Sequence, residues 1–79
     1  MNIKKVLAEN LRAIREMRGY TQEDVAILTR MSRTFVGDLE RAQKNASILS
    51  LQKLASTLKV TPALLITPKG HTLVDKREQ

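Results

Sequence analysis

The hydrophobic positions of the chain fall into clusters, each spaced as on one face of a helix. From Ile3 to Arg18, Val6, Leu7, Leu11 and Ile14 recur at helical intervals, with Ala8 and Met17 flanking the stripe. Strong helix formers (Ala, Leu, Glu, Lys, Arg) dominate this segment. Gly19 suits a left-handed stop, and Arg15 and Arg18 in the last turn suit the negative end of the helix dipole. Thr21 is placed to cap a second helix, with Asp24 at its third position completing a capping box. Val25, Ala26 and either Leu28 or Thr29 give its inward face, and it ends near Arg30. Ser32 caps a third helix carrying Phe35, Val36 and Leu39, which ends near Arg41 or Ala42. A polar loop runs from Gln43 to Ala46. Ser47 then caps a fourth helix with Ile48, Leu51, Leu54, Ala55 and Leu58 inward, ending at Val60. Thr61-Pro62 is a cap followed by proline at the first helical position, where its missing N–H costs nothing. Ala63 to Ile66 form a short fifth helix. Pro68 and Gly70 end the pattern, and His71 to Gln79 is expected to be a mostly polar, loose tail apart from Leu73 and Val74. The fold class is all-α.

Only Arg30, Met31 and Ser32 separate the second and third helices. So short a connection favours helices crossing at a steep angle, and Ala26 is small where they cross.

Length and composition then narrow the function. Seventy-nine residues allow one domain, and about 60% burial of the unfolded surface leaves a thin core with no room for a substrate domain or large pocket. The absence of Cys excludes disulfides, zinc knuckles and thiol catalysis. His71 stands alone, so it has no second His for a metal site or acid–base pair. Carboxylates and hydroxyls are accounted for by caps and ion pairs, so no enzyme and no cofactor are expected. No apolar run approaches the roughly 18 residues of a membrane span. Lys4 and Lys5 are followed at once by acidic and polar residues, unlike a signal peptide. A cytoplasmic protein without membrane or small-molecule ligand is expected. Fourteen Lys and Arg against eight Asp and Glu give a net charge of +6, which suggests a polyanionic partner. Tyr20 and Phe35 are the only aromatics, too few for the stacking platforms that hold single strands and RNA.

Five stretches carry a resemblance. Gly19-Tyr-Thr-Gln-Glu-Asp-Val-Ala26, Ser32-Arg-Thr-Phe-Val36, Asp38-Leu-Glu-Arg41, Asn45-Ala-Ser-Ile48 and Val60-Thr-Pro-Ala63 resemble the Cro/phage-repressor-like (XRE) helix-turn-helix family in order and spacing. The likeness covers roughly residues 5–67. Arg-Thr-aromatic followed by Asp-Leu-Glu-Arg is most similar to the small controller proteins of restriction–modification systems, though antitoxins and phage repressors share much of it. The resemblance implies a compact five-helix lambda-repressor-like DNA-binding domain over residues 1–67, with residues 68–79 a tail that could extend a dimer interface. It implies a transcription regulator bound as a homodimer to an inverted repeat near a promoter, activating or repressing its own operon, with RNA polymerase recruited or blocked. The alternative is an antitoxin or other protein-interaction module with secondary DNA binding. Arg30 departs from the family, which usually has Gly or Asn at this left-handed turn.

A helix from Ser32 to Arg41 is about 15 Å long and fits the major groove, where its N-terminal residues reach base edges. Its outward face carries Ser32, Arg33, Thr34, Gly37 and Asp38. Arg33 is the leading base reader, since its fork matches guanine O6 and N7. Thr34 can reach a base edge or a phosphate. Asp38 can orient Arg33, accept from cytosine N4 or face solvent. Phe35 either packs against the second helix or touches a thymine methyl or the backbone. Gln22 at the start of the second helix is a phosphate candidate. In the family the loop holding Gln43, Lys44 and Asn45 follows the DNA backbone. Arg18 and Arg41 can add positive potential or simply be solvated. An Arg15–Glu40 ion pair is implied by the family and would lock the third helix at its reading angle. Leu49, Leu64, Leu65 and Ile66 exceed the needs of one buried stripe and are the expected dimer interface.

Overall fold

Each α-helix begins where the side chain of an Asn, Ser or Thr accepts a backbone N–H. The computed structural model describes residues 1–75. Asn2 caps α1 (Ile3–Met17), and Thr21 caps α2 (Gln22–Thr29). Ser32 caps α3 (Arg33–Glu40), Ser47 caps α4 (Ile48–Leu58) and Thr61 caps α5 (Pro62–Leu65). A 3-10 turn follows at Gly70–Leu73. The described residues are thus all-helical, as expected, and none of their helices is long and apolar enough to cross a membrane.

The core is formed by Leu7, Leu11 and Ile14 of α1, Val25 and Ala26 of α2, Val36 and Leu39 of α3, Leu54, Ala55 and Leu58 of α4, and Leu65. α1 packs on α3 and on the 3-10 turn, while α4 packs on α2 and α5. Left-handed residues close the helices at Gly19, Arg30, Ala42 and Lys59. Arg30 has φ 59° and ψ 34°, so the unusual turn residue adopts the left-handed geometry despite a cost of about 1–2 kcal/mol.

Several expectations are corrected. Ile48 is 88% exposed, and the buried stripe of α4 begins one turn later with Leu51 half-buried. α4 ends at Leu58, because Lys59 turns left-handed with φ 60°. Of the two alternatives on α2, it is the expected Thr29 that faces inward, its hydroxyl donating to Val25 O at 2.6 Å, while Leu28 is exposed.

The loose tail is not seen over residues 68–75; residues 76–79 lie outside the described part. Asn10, fully buried on α1, holds this segment. Its Nδ2 donates to the carbonyls of Leu64, Leu65 and Thr67 at 3.3, 2.9 and 2.9 Å. Its Oδ1 accepts from His71 N at 3.0 Å. Gly70 is required there, since a Cβ would stand 2.1 Å from Leu64 O.

Candidate nucleic-acid interface

Thr21 and Asp24 fix the start of α2. Thr21 Oγ1 accepts from Asp24 N at 3.0 Å, and Thr21 N donates to Asp24 Oδ2 at 2.8 Å. At the other end Met31 N donates to Ala26 O at 3.0 Å, so the chain reverses within the three residues Arg30, Met31 and Ser32. Ser32 Oγ accepts from Phe35 N at 3.0 Å and starts α3. This is a helix-turn-helix. Phe35 is half-buried and packs against the core, the blander of its two expected roles. Arg33 and Thr34 are exposed on the first turn of α3. Arg33 lines an open cleft of about 470 Å³ with Arg15, Tyr20, Thr21 and Gln22, so the N-terminal ends of α2 and α3 converge.

The Arg15–Glu40 pair is present and sits behind this surface. Arg15 Nε donates to Glu40 Oε2 at 2.6 Å and Nη2 to Oε1 at 3.0 Å. Arg15 Nη1 also donates to Tyr20 O at 2.9 Å, and Gln22 Nε2 donates to Glu40 Oε1 at 3.1 Å. One carboxylate therefore ties α1, α2 and α3 together. The side chains of Arg15 and Glu40 are only 12% and 4% exposed. The hydrogen bonds that Arg15 donates to Glu40 push its pKa further up, against the lowering effect of burial, so the guanidinium stays charged. Such a pair fixes geometry more than it stabilises. Gln22 gives one of its two amide N–H groups to Glu40, which orients it at the head of α2 and leaves the other N–H for a further acceptor.

Three expected contacts with DNA are altered by the structure. Arg18 is 8% exposed and turned inward: Nε donates to Leu58 O at 2.9 Å and Nη1 to Asp75 O at 3.2 Å. It serves the open carbonyl end of α4 rather than a phosphate. Gly37 is buried, because the Arg41 guanidinium lies over it. Asp38 pairs with Arg41 Nη2 instead of orienting Arg33. After α3, Gln43, Lys44 and Asn45 are exposed, with Gln43 Nε2 donating to Arg41 O at 3.2 Å. Lys44 and Asn45 also border an apolar cleft of about 180 Å³ with Ile3, Leu7, Leu51 and Ile66.

The expected dimer residues divide as well. Leu65 is fully buried and belongs to the core, so it cannot face a partner in the folded protein. In a helix of four residues with consecutive leucines, the inward one falls on the face toward α1, where Asn10 grips its carbonyl. Leu64 and Ile66 are half-buried, and Leu49 is 61% exposed. Sequence reasoning missed Asn10 and Gly70. A polar residue inside the α1 stripe, next to Leu11, was the signal available for Asn10. Among the described residues no group of His, Asp and Glu could hold a metal ion.

Comparison with known proteins agrees with this geometry. The helix-turn-helix family model HTH_3 matches residues 11–65. The chain is 36% identical over 70 residues to the control protein C.SmaI of Serratia marcescens, covering 89% of this chain and 83% of that one. The crystal structure of the hypothetical transcription factor NHTF from Neisseria superposes with a TM-score of 0.83 at 32% identity, covering 90% of this chain and 82% of that one. The restriction–modification controller protein C.AhdI from Aeromonas hydrophila superposes with a TM-score of 0.76 at 35% identity, over 78% of this chain and 94% of that one. This chain belongs to the HTH_3 helix-turn-helix (XRE-type) family of DNA-binding transcription regulators, among relatives that include restriction–modification control proteins.

Proposed function

We propose that this protein reads a specific inverted repeat in double-stranded DNA as a homodimer near a promoter, and regulates its own operon as a restriction–modification controller. The observation that carries the reading is the exposed Arg33–Thr34 pair on the first turn of α3, backed by the Arg15–Glu40–Gln22 network. Arg33 is the base reader, with Thr34 and Ser32 beside it. Gln22, Gln43, Lys44 and Asn45 hold the sugar–phosphate backbone. RNA polymerase, recruited or blocked at the adjacent promoter, is the second partner.

Selection of bound sequences from a random duplex library at fixed salt tests this. A two-fold symmetric motif is expected, with half-sites about 34 Å apart, one helical turn. Arg33→Ala should lose about 1–3 kcal/mol of discrimination at one base position per half-site. An unchanged base preference would remove Arg33 as the reader. No enrichment over non-specific binding would favour an antitoxin or other protein-interaction module.

One short helix contacts too few base pairs for useful specificity, which supports two copies. With Leu65 in the core, the partner face falls to Leu49, Leu64 and Ile66, extended by Leu73, which is 71% exposed beside Leu64. Leu49→Glu should give a monomer in sedimentation with an unchanged helical spectrum, since the side chain is solvent-facing in one copy. A variant that still sediments as a dimer places the interface elsewhere.

A further inference from the structure

We propose that Arg41 is a ligand of the DNA backbone and that Gly37 is kept free of a side chain so that Arg41 can lie across α3. This rests on the DNA-binding reading above. Arg41 is the C-cap residue of α3, and its side chain runs back along the helix. A Cβ on Gly37 would stand 3.2 Å from Arg41 Nη1 and 3.7 Å from Nη2. The same point is 3.5 Å from Gln22 Oε1, so Arg41 ends beside the first residue of α2. Asp38 holds the guanidinium through Nη2. The side chain of Arg41 is 61% exposed and that of Asp38 only 20%, so the pair turns its cation to solvent and its carboxylate inward.

Glycine within a helix is less stable than alanine, because it has more backbone freedom to lose. Among the described residues, Gly37 is the one glycine inside an α-helix; Gly19 lies in a turn and Gly70 in the 3-10 segment. An exposed pair three residues apart contributes little stability and needs no glycine beneath it. The empty slot is explained by the placement of Arg41 next to Gln22. A guanidinium has several N–H groups in a fixed fork, so one edge can stay on Asp38 while another meets a phosphate oxygen. Gly37 and Asp38, expected as base readers, are in this account positioning residues that act through Arg41.

A double-mutant cycle separates the possibilities. Wild type, Gly37→Ala, Arg41→Ala and the double variant are titrated with a mixed-sequence duplex over a salt series, and their thermal midpoints are recorded. Arg41→Ala should weaken binding about tenfold and lower the log–log salt slope by about one. Arg41→Lys should keep the slope. Gly37→Ala should keep or raise the thermal midpoint yet weaken binding several-fold, and it should add nothing in the Arg41→Ala background. Wild-type binding by Gly37→Ala overturns the proposal. So does a further loss in the double variant, which would put Gly37 itself against the DNA. If the wild type binds no duplex at low salt, the DNA-binding reading fails, and with it the basis of this one.

Discussion

Glu40→Ala is expected to remove a large part of the folding free energy, measured as a shift in the urea midpoint. The substitution leaves the Arg15 guanidinium, 12% exposed, facing the space its carboxylate filled. Breaking a buried pair on one side costs about 3–5 kcal/mol, because the surviving charge, here left with the Tyr20 carbonyl and little water, loses its counter-charge. A domain of 79 residues, at about 0.05–0.15 kcal/mol per residue, has only about 4–12 kcal/mol in total. The same change frees Gln22 Nε2, so the head of α2 and the C-terminal end of α3 lose their common anchor. A double variant, Arg15→Met with Glu40→Leu, should recover most of the stability but not the DNA affinity. Recovery of both would show that the pair does not set the angle of α3.

Asn10→Ala should cost about 2–5 kcal/mol, since the carbonyl of Leu65 and the N–H of His71 lose their partner in or near the core. The loss should be uneven across the molecule. Amide exchange at His71 should accelerate strongly, while Val36 and Leu39 on α3 exchange only through global unfolding. A thermal midpoint within a degree or two of wild type would mean that the 70–75 segment adds little to the fold. Asn10→Asp should be worse, because a carboxylate would face three carbonyl oxygens.

What the sequence revealed and what it hid follow from range. Thr21, Ser32, Ser47 and Thr61 were legible as caps because a cap is decided within four residues. The short turn through Arg30 was legible for the same reason. The Arg15–Glu40 pair came from the family resemblance; nothing local in either helix announces it. Leu65 was misplaced because three consecutive apolar residues in one turn carry no period from which to choose a face. Arg18 was misread because a basic residue in a last turn suits its own helix dipole, whereas its actual partner is the end of another helix. Gly37 is buried and Asp38 half-buried, although the sequence places both on the outward face of α3. What the helical wheel omitted is Arg41, one turn on, folding back over them. Asn10 was hidden because its partners lie far along the chain, where no periodicity reaches.

That distance shapes how the protein is born. Asn10 meets partners 54 to 61 residues later. At about 5–20 residues added per second, α1 leaves the site of synthesis roughly 3–12 s before the carbonyls and N–H that complete it exist. Until then the nascent chain carries a polar group inside an apolar stripe with nothing to receive it. The helix-turn-helix, closed by local caps, can pair with α1 earlier through Arg15 and Glu40. The Arg15–Glu40 pair spans 25 residues and the clasp around Asn10 up to 61, so the clasp is the later of the two to become possible as the chain is made.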